Sequence, residues 1–580
     1  MYLSIFIFEL VFMNFDILGQ SESLFVDYSI IAECAGKSVF SDFVSFINSS
    51  NHKIYVAKSF KLFHYCVLHQ SDDRNMVFSN AMRFFCSSIL NEHRLSEIGT
   101  AKTEEIVKSV SQLSLPCIIT TAKSILIKRI REKNLDFGGR IGILGVDGFV
   151  LYDSLEDFFK SNPVPDISPL AARTEFLDSS VFCNVGDVVY TGNGMPLTLD
   201  ERLSAGAEGM VFTTNNPSLV AKIYHKGMIT PMRWRKLMRM VEMGVKSVGI
   251  CWPRDLIFYK DVPVGYTMMK GKGKTLGNVF DGPDAMMDNF PDWTRSDIVD
   301  TLINVLEKYI FLHMYDIIAG DIQLKNALLF SPSAVFLIDM DSIQIGNMPC
   351  PVGTEEFTDP TLWGKNFSSF LRKLENEDYS MAMLVFSMLF CGLHPYATRN
   401  GQETLNAEIE SKAFPYTLDD SDVEHIPKGG YQYIWEYLPV YLRTMLYSTF
   451  KLGKRYEAID WYDAVLRYKK ELVERSFTDE EAYKVFPKMN YHRTVNASVA
   501  APVKDFNNGK PGFAKKTFQQ SIIYPAGFEN SNSSSDVASF KRPPPPTRSG
   551  SQNSDTNKAS ANNKNDTNKS GLFGGLFGKR

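Results

Sequence analysis

The stretch GDIQLKN (320–326) sets Asp321 and Asn326 five positions apart, and FLIDMDS (336–342) follows with an apolar run that ends in Asp339. Carboxylate and amide oxygens are hard donors of the kind that hold Mg2+ alongside phosphate oxygens. This set could therefore seat a magnesium–nucleotide complex, and it equally suits two Asx turns after two strands. A third group raises the stakes: Lys222 lies inside the apolar strand pattern LVAKIY (219–224), where a charge needs a partner. Turns account for each aspartate singly but not for the ordered series that begins at Lys222.

That series resembles the protein kinase superfamily over roughly 200–470, nearest to its divergent bacterial and phage-type branch. LSAGAEGMVF (203–212) stands where the family has its glycine-rich loop; Gly206, Gly209 and Val211 fit, and Ser204 replaces the first glycine. The resemblance makes Lys222 the lysine on the α- and β-phosphates of ATP. Its carboxylate partner would be Glu242, in the helix RWRKLMRMVEMG (233–244), unless that residue faces solvent. Arg233, Arg235, Lys236 and Arg239 of the same helix form a basic face for substrate or partner, or a solvated one. Met268 and Lys270 fall at the crossing where adenine meets backbone.

By the same resemblance Asp321 orients an acceptor hydroxyl and takes up its proton, while Asn326 and Asp339 hold magnesium. GTEEFTDP (353–360) resembles the end of an activation loop. EDYSMAMLVFSMLFCGLHPY (377–396) resembles the helix that opens on a buried aspartate, Asp378, which holds the catalytic-loop backbone. The implied cofactors are ATP and Mg2+, and the implied reaction is transfer of the γ-phosphoryl to a Ser or Thr hydroxyl of a protein.

The pattern departs from the family in several places. Ala319 and Gly320 replace the His-Arg before the aspartate, which removes the arginine that would read a phosphorylated activation loop. Gln323 replaces the lysine that screens the transferring phosphoryl group, leaving Lys325 as its substitute. Asp341 follows Asp339 as a turn residue or a second metal ligand. Thr361 replaces the glutamate that pairs with the late arginine, here Arg455, so another carboxylate must serve, with Glu355 and Glu356 as candidates. Because Lys222, Asp321, Asn326 and Asp339 remain, catalysis is the favoured expectation. A nucleotide-binding pseudokinase scaffold is the alternative.

The elements that must position these groups set the domain plan. Of 580 residues, 44% are hydrophobic and 22% charged, enough for two or three globular domains. The reading is an α+β bilobal protein-kinase-like domain (196–475), preceded by an α/β domain (1–165) and a linker (166–195), and followed by a disordered tail (490–580). In the first region, 24–31 and 53–60 read as strands, 104–113 as a helix, 116–134 as a strand running into a helix, and 141–152 as a strand or pair. This order weakly resembles the PIN-like nuclease fold, with Asp27 at a strand end as its metal-binding residue. TTAKS (120–124) lacks the acidic partner that such a site requires. A nuclease regulated by the kinase-like half is thus a third reading, and a degenerate accessory domain the favoured one.

Eight cysteines without a CxxC pair, and nine scattered histidines, point to buried thiols rather than structural zinc. A net charge of −4 gives no reason to expect a broad nucleic-acid or membrane surface. The apolar start MYLSIFIFELVFMNF is short, lacks a basic flank and contains Glu9. It reads as a buried strand rather than a signal peptide, and Met13 is an alternative start to Met1. The expected location is cytoplasmic. Beyond a protein substrate or signalling partner, the tail offers PPPP (543–546) and the GLFG repeats at its end as segments that a partner could take, or as plain linker.

Overall fold

The structure, a computed structural model, describes residues 15–19, 22–57, 95–98, 103–122, 124–145, 148–163, 182–245, 247, 249–402, 404–419 and 424–488. The apolar start, most of the linker, and the tail with its PPPP and GLFG segments lie outside them. The chain divides into two compact units, Met1–Gln520 and Ser521–Arg580, and every described residue belongs to the first.

The first region is a six-stranded sheet in the order β3-β2-β1-β4-β5-β6. Its strands are β1 (Ser23–Val26), β2 (Lys53–Ala57), β3 (Leu95–Ile98), β4 (Pro116–Thr120), β5 (Arg140–Gly145) and β6 (Gly148–Tyr152). All pair in parallel except the hairpin β5–β6. Alternation sends Leu24, Val26, Cys117 and Ile119 to one face, against α1 (Ser29–Cys34) and α2 (Ser38–Ser49). Phe25, Ile118 and Ile141 go to the other, against α3 (Thr103–Ser111), α4 (Ile125–Glu132) and α5 (Leu155–Ser161). Apolar burial on both faces is what a parallel sheet requires. The stretch 24–31, read as one strand, breaks after Val26. Asp27 accepts from the Ser29 amide at 3.3 Å and turns the chain into α1.

The second region opens with a closed barrel in the order β10-β12-β11-β7-β8-β9. It comprises β7 (Val188–Thr191), β8 (Pro196–Ala205), β9 (Gly209–Thr214), β10 (Leu219–Tyr224), β11 (Asp255–Tyr259) and β12 (Val262–Met269). β7 lies within 166–195, so part of the stretch read as linker is a barrel strand. Its VVYT run is made of strand-forming residues, and β8 and β11 pair with it. Helix α6 (Pro231–Met243) packs beside the barrel. It is started by the Thr230 hydroxyl on the Arg233 amide and Pro231 in its first turn, and stopped by Gly244 at φ 53°.

The remainder is mainly helical, built on α7 (Arg295–Met314), α8 (Leu374–Leu389), α9 (Val440–Phe450) and α10 (Ala458–Val473). A hairpin of β15 (Ala327–Ser331) and β16 (Ala334–Leu337) carries the motif region, with β13 (Lys274–Thr275) beside it and the short pair β14 (Ile317–Ile318) and β17 (Gln344–Ile345) nearby. α8 is buried almost all round, the mark of a central helix. Packing continues past 475: Arg295 donates to the Leu389 carbonyl at 2.7 Å and also to that of Val485, so the region extends to at least Val485. Among the described residues, no helix is long and apolar enough to cross a membrane, and the six cysteines are free and buried.

One glycine tests the barrel register. A Cβ on Gly265 in β12 would sit 1.9 Å from the Lys222 carbonyl on β10. Gly265→Ala should lower unfolding stability in urea by about 1–3 kcal/mol. An unchanged midpoint would mean that β10 and β12 do not approach this closely.

Candidate functional site

Four stretches carry the candidate groups: β10, β12, the loop 319–326, and the chain leaving β16. Along β10 the side chains alternate. Ala221 and Ile223 enter the barrel core, while Val220 and Tyr224 belong to the main core beneath, and this parity places Lys222 on the main-core side. Lys222 Nζ donates to Asp341 Oδ1 at 2.7 Å and Oδ2 at 3.0 Å, and reaches Asp339 Oδ1 at 3.4 Å. Tyr224 and Tyr266 add their hydroxyls to Asp341, the latter at 3.0 Å. The side chain of Asp341 is fully buried, whereas that of Asp339 is 52% exposed.

Two residues apart in a strand, these carboxylates would share a face at the strand's pitch. Instead Asp339 adopts φ 57°, ψ 40°, and a 3-10 turn, Met340–Ser342, follows. That left-handed step is costly for a side-chain-bearing residue, though least so for Asp and Asn. It lets one carboxylate point inward and the other outward around a single ammonium.

The electrostatics follow the geometry. Burial alone would push the Asp341 carboxyl up, but the Lys222 ammonium and the tyrosine hydroxyl of Tyr224 hold it down at about 2. Burial likewise disfavours the Lys222 charge, and Asp341 and then Asp339 more than restore it, raising its pKa. At Asp339 burial lifts the carboxyl, Lys222 pulls it back, and the neighbouring Asp341 charge adds to the lift. A cation beside Asp339 would relieve that excess of negative charge.

Asp341 corrects the expected partnership of Lys222. Glu242 is 63% exposed and bonds Arg239 at 3.3 Å. The phase of α6 turns it outward, and the charged position facing inward is Lys236. Lys236 is buried and donates to the Pro349 carbonyl at 2.7 Å, burial holding its pKa down at about 8. The basic face of this helix is therefore divided. Arg233 pairs with Glu208 in the glycine-rich turn, Lys236 is internal, Arg239 is engaged by Glu242, and Arg235 is exposed. Asp341 was legible only as an acid two places beyond Asp339 in an otherwise apolar run, a context in which burial beside a lysine is the economical solution.

The loop 319–326 gathers a second group. Asp321 Oδ2 accepts from Asn326 Nδ2 at 3.0 Å and Gln323 Nε2 at 2.8 Å; Oδ1 accepts from the amide and hydroxyl of Thr354, both at 2.9 Å. Asn326 spends its amide nitrogen on Asp321, which leaves its oxygen as the atom for a hard cation. Its backbone carbonyl takes the Ile338 amide at 2.9 Å, fixing it one residue from Asp339. The oxygens of Asn326 and Asp339 thus fit Mg2+ in donor type. Lys325 is exposed, its stem against Gly277, while Gln323 sits on Asp321.

The loop backbone is held by Glu377, not Asp378. Glu377 Oε1 accepts from the Ala319 amide at 3.1 Å and lies 2.8 Å from His313 Nε2; Oε2 accepts from the Gly320 amide at 3.0 Å. The helix α8 is rotated one position from the expected phase, and a longer side chain spans the gap. Arg455 finds Asp359 at 3.2 Å rather than Glu355 or Glu356, because Asp359 opens the short turn that faces it.

In the glycine-rich turn, Ser204 and Gly206 are exposed and the Gly206 amide donates to the Gly209 carbonyl at 2.9 Å. Gly209 has a packing reason of its own: a Cβ there would lie 2.3 Å from the Ile223 carbonyl. Val211 pairs with Lys222 across the ladder; Met268 is buried in the core, and the Lys270 amide donates to the Ser218 carbonyl at 2.9 Å.

Asp27 is bonded by Ser124 at 2.7 Å and Thr120 at 3.1 Å, besides Ser29. Its partners are hydroxyls and an amide rather than the carboxylates of a nuclease centre. Among the described residues there is no group of three or more His, Cys, Asp or Glu set to hold a metal ion.

No protein-family model matches the chain. Over 249 residues it is 28% identical to a protein described as protein kinase YegI from Escherichia coli O157:H7, and to its namesake from Escherichia coli strain K12. The match takes in 40% of this chain and 38% of each relative, so the chain spans well under half the length of the curated relatives it matches.

Asp341 and Glu242 can be told apart by stability. Asp341→Asn leaves Lys222 buried with half its charge partnership gone and should cost about 3–5 kcal/mol, whereas Glu242→Gln should stay within about 0.5 kcal/mol. Because the folded-state pKa of Asp341 is depressed, its contribution is present above the ordinary carboxylate range near about 3.9. It is lost as pH falls from there through about 2. Acid titration of stability should therefore be shallower in that window for Asp341→Asn, and an identical acid limb would refute the assignment.

Proposed function

We propose that the chain is an ATP- and Mg2+-dependent phosphotransferase on a bilobal kinase-like fold, acting on a Ser or Thr hydroxyl of a protein. The observation that carries the reading is the convergence of Lys222 from the barrel with Asp339 at 3.4 Å, next to a loop where Asn326 and Asp321 are bonded at 3.0 Å. Lys222 and Asp339, 117 residues apart in sequence, meet in the chain order that the lysine and the metal-binding aspartate of phosphoryl transfer follow. Similarity to a protein described as a protein kinase supports the same class.

In this reading Lys222, held by Asp341, presents its charge to phosphate oxygens without a glutamate from α6. Asn326 and Asp339 would hold Mg2+, which when bound supplies charge neutralisation along the phosphates. Asp321 orients the acceptor. Its carboxylate already accepts the Thr354 hydroxyl at 2.9 Å, the same kind of bond that an incoming Ser or Thr would make. Gln323 carries no charge to screen the transferring group, so the burden falls on Lys222 and the cation.

The scaffold alternative draws on that same contact: both oxygens of Asp321 are engaged by the chain itself. Turnover separates the two. Incubated with γ-labelled ATP and Mg2+, the wild-type chain should label itself or a generic protein substrate. Asp339→Ala and Asp321→Asn should each lose about 10²-fold or more of that transfer. ATP bound by the wild type with no label moved to any hydroxyl would assign the chain to the scaffold class.

A further inference from the structure

We propose that Arg129, on the α/β sheet domain, is a positioning residue for the catalytic loop of the kinase-like region. The inference rests on the phosphotransferase reading above. Arg129 Nη1 and Nη2 donate to Asp378 Oδ2 and Oδ1 at 2.8 and 3.0 Å, and both side chains are buried, 3% and 2% exposed. Among the described residues, the side-chain bonds of Asp378 come from Arg129. Asp378 is the immediate neighbour of Glu377, whose two oxygens take the Ala319 and Gly320 amides just before Asp321. The first turn of α8 thus faces two ways, with one carboxylate on the loop and the next on a guanidinium from another domain.

Three further contacts show that α4 grips the loop's supports rather than one residue. Lys128 pairs with Asp316, in the turn at φ 55° that leads through β14 into the loop. Lys133, just past α4, bonds Glu457 at 2.8 Å at the start of α10, and Arg129 Nε lies 3.9 Å from the same carboxylate. On the other face of the sheet, Met314 from the end of α7 packs against the core shared with α1 and α2. The chain before the loop and the helix behind it are both fastened to α4. Removing Arg129 would leave the Asp378 charge buried without its counter-charge, and the helix turn that carries Glu377 would have to shift or take up a proton. A displacement of the loop by about 1 Å is enough to cost about 10²-fold in rate.

The test uses the full chain with Arg129→Met, Arg129→Lys, and the double variant Arg129→Met/Asp378→Met, which replaces a buried ion pair by apolar side chains. Two readouts are taken at a temperature where each variant is folded. One is kcat and KM for ATP; the other is hydrogen exchange at the Ala319 and Gly320 amides. Arg129→Met should lose about 10²-fold in kcat with KM for ATP changed less than about twofold, and the two amides should exchange faster. Arg129→Lys should recover part of both, and the double variant most of both. If Arg129→Met does not fold, Arg129→Lys decides: a lowered kcat with faster exchange at the two amides supports the role, and wild-type kcat with wild-type exchange overturns it. Wild-type kcat and wild-type exchange in folded Arg129→Met overturn it directly. If the wild type itself moves no phosphate, the phosphotransferase reading fails while the exchange data still decide whether Arg129 orders the loop.

Discussion

A carboxylate with no exposed surface ties the barrel to the β15–β16 hairpin. Asp341 accepts from Lys222, Tyr224 and Tyr266, which come from two barrel strands, while itself standing at the end of the β15–β16 hairpin. A buried charge must be neutralised and its lone pairs satisfied, or the chain pays several kcal/mol. Losing one partner of such a pair costs about 3–5 kcal/mol, set against a net domain stability of about 5–15 kcal/mol. The left-handed backbone at Asp339, the outward aim of its carboxylate and the reach of Lys222 all follow from meeting that demand in one place.

The loop below is held by the same principle, a polar network whose members satisfy one another. Glu377 takes two backbone amides, and Arg372 donates to the carbonyls of Gly320 and Val352. Thr354 closes the network onto Asp321. The loop and the segment 350–354 are thus joined through permanent groups.

The sheet domain is part of this arrangement. Parallel strands bury both faces under helices, so α4 exposes little apolar surface, and its outward side carries Lys128 and Arg129, with Lys133 just beyond it. Those cations meet Asp316, Asp378 and Glu457, while Met314 packs against the core on the sheet's other face. Buried pairs are tolerated only where geometry is good on both sides, which makes this contact specific. The accessory domain and the kinase-like region accordingly share one compact unit instead of being joined by a linker alone.

Local pattern determined much. The alternation in LVAKIY fixes which way Lys222 points, the paired runs 328–330 and 335–339 make a hairpin, and the strand–helix order of 116–134 and 141–152 makes the sheet. The five-residue step from Asp321 to Asn326 brings their side chains together, with the 3-10 turn Leu324–Asn326 folding its second half back. Partner choice was not legible. Whether Glu242 or Asp341 meets Lys222 depends on the phase of α6 against a barrel assembled from distant strands. Whether Glu377 or Asp378 holds the loop depends on a one-residue rotation of α8. Neighbouring acids carry the same charge and nearly the same reach. Only the tertiary arrangement, through which donors are near and which carboxylate is shut away from water, tells them apart.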